Sequence, residues 1–128
     1  MFSHVTVGAR NLEESKAFYN ATFATLGVGP GSPYGQDRVF YSHSEQLFTV
    51  VIPIDGNVAT FANGGTIGFK VGTRDQVDAW HAAGVNAGGV SCEDPPGIRD
   101  GGPIGQLYLA YLRDPVGNKL CAYHRLEG

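Results

Sequence analysis

The sequence repeats itself once, and this repeat limits the fold more than any other feature of the chain. Residues 4–21 align with residues 66–83 at a constant offset of 62 positions, and apolar residues fall on apolar residues. Each copy has the pattern of a short alternating strand, a polar break and an amphipathic helix. Because the repeat spans about half the chain, it predicts two paired modules and not a solenoid.

Both copies carry the same signal for the start of a helix. Asn11 is followed three residues later by Glu14, and Thr73 is followed three residues later by Gln76. In such a pair the first side chain accepts from a backbone N–H group that the helix leaves unpaired. The two helices are predicted to end at glycines, Gly27 and Gly84.

The remaining strands and loops complete the same order in each half. Strands are predicted at 39–42 and 47–52, and again at 107–112 and 119–125, the last two joined by a turn at 114–118. The Gly- and Pro-rich stretches 29–33 and 88–106 are predicted as loops. Each half then has the order βαβββ, with one strand per half not located. We expect one α+β domain, 1–128, made of module 1 (about 1–60) and module 2 (about 64–126).

Composition and charge exclude several classes of partner. The net charge is −3 and Lys and Arg form no cluster, which argues against nucleic-acid and anionic-membrane partners. No apolar run approaches the roughly 20 residues that span a bilayer, and the first residues lack the pattern of a signal peptide. Two cysteines do not make a disulfide framework, so a reducing cytoplasm is the expected location.

Three segments together resemble a known superfamily. They are Ser3–Val7 followed by Leu12–Tyr19, Tyr111–Leu120, and Pro53–Gly56 with Asn63–Gly64. The chain resembles the vicinal oxygen chelate superfamily, which includes glyoxalase I, fosfomycin- and bleomycin-resistance proteins and extradiol dioxygenases, and within it a subgroup of small bacterial glyoxalase-like proteins. The resemblance implies two βαβββ modules forming curved mixed β-sheets around a shared cleft, helices on the outside, and a homodimer.

The resemblance also indicates where relatives bind a divalent metal. The corresponding positions here are His4, Phe48, Thr66 and Cys121. His4 keeps a usual ligand, whereas a threonine hydroxyl binds divalent ions poorly and a phenylalanine cannot bind them. Because catalytic zinc sites use three protein ligands, we expect no metal site and no other cofactor. Bound Zn, Ni, Mn or Fe is the disfavoured alternative.

Six residues are candidates for contact with a small molecule: His4, Phe48, Thr66, Arg99, Tyr111 and Cys121. Arg99 is the only cation of the 88–106 stretch and can hold an anion bidentately, although a solvated loop charge is the simpler interpretation. Tyr111 precedes the 114–118 turn and either lines the pocket or belongs to the core.

His4 and Cys121 are also candidate catalytic residues. Cys121 would be a nucleophile if His4 lowered its pKa across the cleft. Each also has a simpler interpretation. His4 would be a hydrogen-bonded residue in the wall of the cleft, and Cys121 would be a small apolar residue that fills space in the core.

Three functions therefore compete. The first is a glyoxalase- or bleomycin-resistance-like protein that binds a small molecule without the usual metal. The second is a metal-dependent lyase or isomerase of glyoxalase type. The third is a metal-free enzyme that uses His4 and Cys121. Because the metal positions lack ligands, we favour the first, and the fold alone does not decide between them.

Overall fold

The computed structural model describes residues 1–126, in which each half of the chain forms one helix and one sheet. The first half contains β1 (His4–Gly8), α1 (Leu12–Ala24), β2 (Ser32–Tyr34), β3 (Arg38–His43) and β4 (Gln46–Val51). The second half contains β5 (Ile67–Lys70), α2 (Arg74–Asn86), β6 (Val90–Ser91), β7 (Gly97–Asp100), β8 (Gln106–Arg113) and β9 (Lys119–Arg125), with a 3₁₀ turn at Gly102–Ile104. The predicted domain and module limits stay a prediction, and residues 127–128 lie outside the described range.

The two sheets have the same arrangement. Sheet A has the strand order β1-β4-β3-β2, and sheet B has the order β5-β9-β8-β6, with β7 pairing along the same side of β8 as β6. In each sheet the strand before the helix pairs in parallel with the last strand of its half, and the other pairings are antiparallel. The α+β prediction, with two mixed sheets and two helices, is therefore confirmed.

Both helices begin where the sequence predicts. The backbone N–H of Glu14 donates to Asn11 Oδ1 at 3.0 Å, and that of Gln76 donates to Thr73 Oγ1 at 3.1 Å. These bonds satisfy one of the donors that each helix start leaves unpaired. Each helix has 13 residues, and none in residues 1–126 has the length and apolarity needed to span a membrane.

The predicted end of the second helix is wrong. Gly84 lies inside α2, is buried, and a Cβ placed on it would come within 2.3 Å of Leu112 Cδ1. Glycine therefore serves here to let the helix approach β8 closely, and not to end it. The chain leaves the helix at Gly88, which has a φ of +98°.

The two predicted loops contain the strands that the sequence did not locate. β2, at residues 32–34, begins inside the first predicted loop (29–33) and runs one residue beyond it; it is an edge strand, in which Pro33 is tolerated. Residues 88–106 contain β6, β7 and the 3₁₀ turn. Because β6 and β7 pair with β8 one after the other, they share the place of the missing strand in module 2.

One core joins the two halves. Each helix covers the inner face of its own sheet, and the two helices also contact each other. Phe18 and Tyr19 of α1 and Trp80 of α2 are at most 1% exposed. Phe48 of sheet A and Phe69 of sheet B meet with ring centroids 5.8 Å apart, so the inner faces of both sheets belong to the same core.

Candidate functional site

The outer face of sheet B, turned away from the helices, carries a second cluster of packed side chains. Side chains alternate along a strand, so Leu107 and Leu109 of β8 point to the face opposite Ala110 and Leu112. Together with Cys121 of β9 they are at most 7% exposed, and Tyr111 and Tyr123 pack against them. Leu107, Leu109 and Cys121 are thus already covered within the chain, and the half-buried rings of Tyr111 and Tyr123 are the part of this cluster that a ligand can reach.

Tyr111 and Cys121 are directly opposite each other on this face. Burial raises the pKa of the Cys121 thiol, and the hydrogen bond to Tyr111 and the charges of Arg99 and Lys119 lower it by less. Burial also raises the pKa of Tyr111, with a smaller contribution from Cys121. Both groups are therefore protonated at neutral pH and can donate hydrogen bonds.

Two cations flank this pair. Lys119 Nζ lies 5.0 Å from the centre of the Tyr111 ring and forms an ion pair with Glu93. Arg99 Nη2 donates to the backbone oxygens of Asp94 and Pro95 at 3.0 and 2.8 Å. Within residues 1–126 the pair of Lys119 and Glu93 is the only ion pair, so no carboxylate neutralises Arg99.

The guanidinium is held by main-chain oxygens, which fix its position without cancelling its charge. Both hydrogen bonds use Nη2, and within residues 1–126 Nε and Nη1 make none, so these two groups can donate to a ligand. The Arg99 charge also acts on Tyr111 and Cys121. It lowers the pKa of each by less than burial raises it. The structure therefore brings together three of the six predicted contact residues, Arg99, Tyr111 and Cys121.

The other three lie elsewhere. His4 is exposed in β1 of sheet A, and its Nδ1 lies 2.7 Å from Ser3 Oγ. Phe48 is on the inner face of sheet A, where it packs against Tyr19 and Phe23. Thr66 is exposed, one residue before β5. Within one chain, His4 and Cys121 therefore belong to different sheets and do not form the predicted pair.

A cavity of about 400 Å³ lies between the two sheets on their inner side, at the end of α1. His4 and Phe48 are both among its lining residues, although Val5, and not His4, is the residue of β1 that pairs with Phe48. The sequence did not single out its other main residues, which are Phe23, Leu26, Phe69 and Lys70. Phe23 and Leu26 belong to the last turns of α1 and the residues that follow, and Phe69 and Lys70 belong to β5.

The residues at the expected metal positions do not fit a divalent ion within one chain. No three His, Cys, Asp or Glu side chains converge closely enough to hold an ion in the part of the chain that the structure describes. His4 and Cys121 are on separate sheets, and Thr66 offers a neutral hydroxyl. We therefore derive no metal-dependent step, and the expectation that no metal is bound stays a prediction.

Comparison with solved structures finds both close and distant matches. A glyoxalase/bleomycin resistance protein from Albidiferax ferrireducens T118 is 54% identical, with a TM-score of 0.94 over 98% of this chain and 99% of that chain. A glyoxalase-related enzyme from Fulvimarina pelagi is 20% identical, with a TM-score of 0.73 over 97% and 87%. A lactoylglutathione lyase from Agrobacterium tumefaciens is also 20% identical, with a TM-score of 0.67 over 97% and 92%. The last two show a shared fold.

No family model and no curated protein matches the chain.

Proposed function

Because the chain belongs to the glyoxalase/bleomycin resistance protein family of the vicinal oxygen chelate superfamily, we propose that it binds a small oxygenated anion on the outer face of sheet B, without a divalent metal. The observation that carries this proposal is the guanidinium of Arg99, which forms no ion pair with a carboxylate of residues 1–126 and whose charge acts on the Tyr111 phenol and the Cys121 thiol. A guanidinium with free N–H groups binds a carboxylate through two parallel hydrogen bonds.

The apolar floor defines the rest of the ligand. Leu107 and Leu109 are buried at its base, and the half-buried rings of Tyr111 and Tyr123 that pack on them offer a surface for an aromatic or aliphatic group. The Tyr111 phenol supplies a donor for an oxygen next to that group, whereas the Cys121 thiol donates to the backbone oxygen of Ala122. The arrangement favours a molecule with a carboxylate at one end, an adjacent carbonyl or hydroxyl oxygen, and an apolar body.

Binding is favoured over catalysis because residues 1–126 offer no activated nucleophile or base on this face. The Cys121 pKa is raised, so little thiolate exists at neutral pH. His4 lies on the other sheet and is no base for the thiol within one chain. The metal-free enzyme that uses His4 and Cys121 is therefore disfavoured.

Calorimetric titration with phenylglyoxylate tests the proposal, because this probe combines a carboxylate, an adjacent carbonyl and an aromatic ring. We expect millimolar or tighter binding, at least 10-fold weaker binding in Arg99→Gln, and little binding of the neutral methyl ester. Arg38→Gln, an exposed arginine on sheet A, is the matched control. Equal affinities of Arg99→Gln and the unaltered protein would contradict this site.

Elemental analysis of protein purified without chelators tests the metal-free part. We expect less than stoichiometric Zn, Ni, Mn and Fe. A stoichiometric metal that is lost in His4→Ala would overturn this part of the proposal and favour the metal-dependent lyase or isomerase.

We also propose a cytoplasmic homodimer. Within residues 1–126, β1 pairs only with β4 and β5 pairs only with β9, so each sheet has an open edge that a second copy can cover. The two free cysteines, Cys92 and Cys121, suit a reducing compartment. Light scattering at micromolar concentration tests the assembly, and a monomer would contradict it.

A further inference from the structure

The outer face of sheet B carries more positive charge than one carboxylate at Arg99 would balance. Paired residues share a face of the sheet, so the register identifies the outward-facing positions of β5, β7, β8 and β9. No aspartate or glutamate occupies these positions in the described strands. In contrast, they hold five of the nine Lys and Arg residues of a chain whose net charge is −3. These five cations are Lys70, Arg99, Arg113, Lys119 and Arg125.

Two of the five cations already have partners within the chain. Lys119 forms the ion pair with Glu93, and Arg113 donates to a backbone oxygen of the neighbouring turn at 2.7 Å. Lys70 and Arg125 differ from them, because both are exposed and neither side chain forms an ion pair or a hydrogen bond within residues 1–126. Their charges are therefore available to a ligand in addition to that of the proposed anion site.

Lys70 and Arg125 flank the half-buried ring of Tyr123. Lys70 is directly opposite Tyr123 in the pairing of β5 with β9, and Arg125 is two residues further along β9 on the same face. Phe69, the residue before Lys70, packs against the core, so alternation along β5 directs the lysine to the outer face. Tyr123 thus has one cation beside it on the neighbouring strand and another on its own strand.

The guanidinium of Arg99 is at the opposite end of the row of residues that contains Tyr123. Its Nη1 atom lies 3.3 Å from the position that a Cβ of Gly97 would take, so the guanidinium lies above this glycine. The row runs across the sheet in the order Gly97, Leu109, Tyr123, Lys70. Because adjacent strands are about 4.8 Å apart, the backbones at the two ends of the row are separated by roughly 14 Å. The row therefore has a cation at each end and an apolar and aromatic centre.

We propose that the ligand of this face is an aromatic dianion, whose second carboxylate binds Lys70 and Arg125 at the end of the row opposite Arg99. This inference rests on the proposed anion site and names the substrate class of that site. A single carboxylate at Arg99 would leave the other two charges without a counter-charge. A second carboxylate between them is attracted by both, and the aromatic body then lies against the Tyr123 ring.

The second carboxylate site is compatible with the proposed homodimer. A second copy that covers the open edge of β5 pairs with its backbone, whereas this row lies on the face of the sheet. Tyr123 and Arg125 belong to β9, which is an inner strand of sheet B. Arg125 therefore remains accessible when the edge is covered.

Calorimetric titration with two probes of similar size isolates the effect of the second carboxylate. 4-Carboxyphenylglyoxylate is a dianion at neutral pH, and 4-carbamoylphenylglyoxylate has a neutral amide in place of the added carboxylate. We expect the dianion to bind about 5-fold more tightly, and the double variant Lys70→Gln/Arg125→Gln to lose this preference. Lys16→Gln/Arg38→Gln removes the same two kinds of charge from α1 and sheet A and should keep the preference.

Arg99→Gln separates this proposal from the one on which it rests, because it should weaken both probes by a similar factor. Equal affinities of the two probes for the unaltered protein, or an unchanged preference in the double variant, would overturn the second carboxylate site and leave the site at Arg99 standing. A preference that depends on Lys70 and Arg125 while Arg99→Gln binds normally would contradict the site at Arg99 alone. Absence of binding of both probes would contradict both sites.

A single-stranded oligonucleotide is the remaining control, since tyrosines among cations on a sheet also bind nucleic acid. We expect it to bind more weakly than the dianion, because the net charge of the chain is −3. Tighter binding of the oligonucleotide than of 4-carboxyphenylglyoxylate would identify a nucleic-acid surface and overturn the proposal.

Discussion

The hydroxyl of Tyr19 donates a hydrogen bond of 2.6 Å to Oδ2 of Asp114 and thereby joins α1 to the turn between β8 and β9. The residues are 0% and 3% exposed. Asp114 Oδ1 accepts from three backbone N–H groups of its own turn, those of Val116, Gly117 and Asn118. A carboxylate is thus held in the core by hydrogen bonds alone, and the tyrosine connects the two halves of the chain.

Tyr19→Phe should destabilise the protein by about 1.5–3 kcal/mol, because it leaves a buried carboxylate without one of its donors. Burial, followed by the nearby Asp114 charge, raises the pKa of Tyr19, so the phenol remains a donor across the physiological pH range. Urea unfolding measures the change. Tyr34→Phe, whose side chain is 65% exposed, should change stability by less than about 0.5 kcal/mol. Equal stabilities of the two variants would show that the bond contributes nothing net.

Gly84→Ala should destabilise the protein by about 1–3 kcal/mol, although alanine has the higher helix propensity. The added Cβ would lie 2.3 Å from Leu112 Cδ1 and 3.2 Å from Phe18 Cε1, so α2 or the side chains below it must move. Overpacking then exceeds the gain in propensity, which is about 1 kcal/mol.

Gly29→Ala is the matched control for that variant, since Gly29 has no heavy atom within 4 Å of an added Cβ and no positive φ. Its stability should stay within about 0.5 kcal/mol of the unaltered protein. Thermal or urea unfolding measures both. A Gly84→Ala protein as stable as the unaltered one would mean that α2 shifts on sheet B without cost.

The repeat and the capping residues predicted two halves with one helix each, because caps depend on local backbone chemistry, while the resemblance implied the mixed sheets. Asn11 and Thr73 cap their helices as expected, and the parallel pairing of β1 with β4 follows from the order of elements. Gly84 could not be predicted, because a glycine that ends a helix and one that lets a helix approach a sheet look alike in sequence. The difference lies in a contact with Leu112, 28 residues away.

The grouping of the site residues was predicted less well than the fold. The alternation of side chains shows which residues of one strand share a face, but it does not show which strands lie in the same sheet. Arg99, Tyr111 and Cys121 were identified from the loop charge, the turn motif and the resemblance, and they do meet. Alternation along β1 predicts which face of that strand His4 is on, but β1 belongs to sheet A, whereas Cys121 belongs to sheet B. Lys70 gave no signal, because an exposed lysine at the end of a strand is ordinary until the register places it opposite Tyr123.

His81 should make stability fall as the pH drops below about 6.5. Burial lowers the pKa of His81 from 6.5, and the smaller effect of the Asp78 charge opposes this. Because the unfolded chain then binds a proton more readily than the folded protein, the stability present above pH 6.5 is lost as the pH falls toward the folded pKa. The Nε2 atom of His81 lies 2.8 Å from Ser91 Oγ, a contact that links α2 to β6.

Urea unfolding at pH 7.5 and pH 5.5 measures this effect. His81→Gln should lose less stability between the two pH values than the unaltered protein, while His43→Gln, at an exposed position before the turn between β3 and β4, should lose the same amount. An identical pH dependence of His81→Gln and the unaltered protein would assign the loss to other groups.

Cys121 should react with iodoacetamide more slowly than Cys92. The thiol of Cys121 is 5% exposed and burial raises its pKa, whereas Cys92 is half-buried, so both the thiolate fraction and the access of the reagent are reduced at Cys121. Single-cysteine proteins, Cys92→Ala and Cys121→Ala, allow the two rates to be measured separately by mass spectrometry at pH 7.

In the Cys92→Ala protein, Tyr111→Phe should slow alkylation of Cys121 at fixed exposure, because the tyrosine hydrogen bond lowers the thiol pKa. His4→Ala should leave the rate unchanged, since His4 is on the other sheet. Rapid alkylation of Cys121 that depends on His4 would instead establish the nucleophilic pair and would require the two sheets to meet across two copies of the chain.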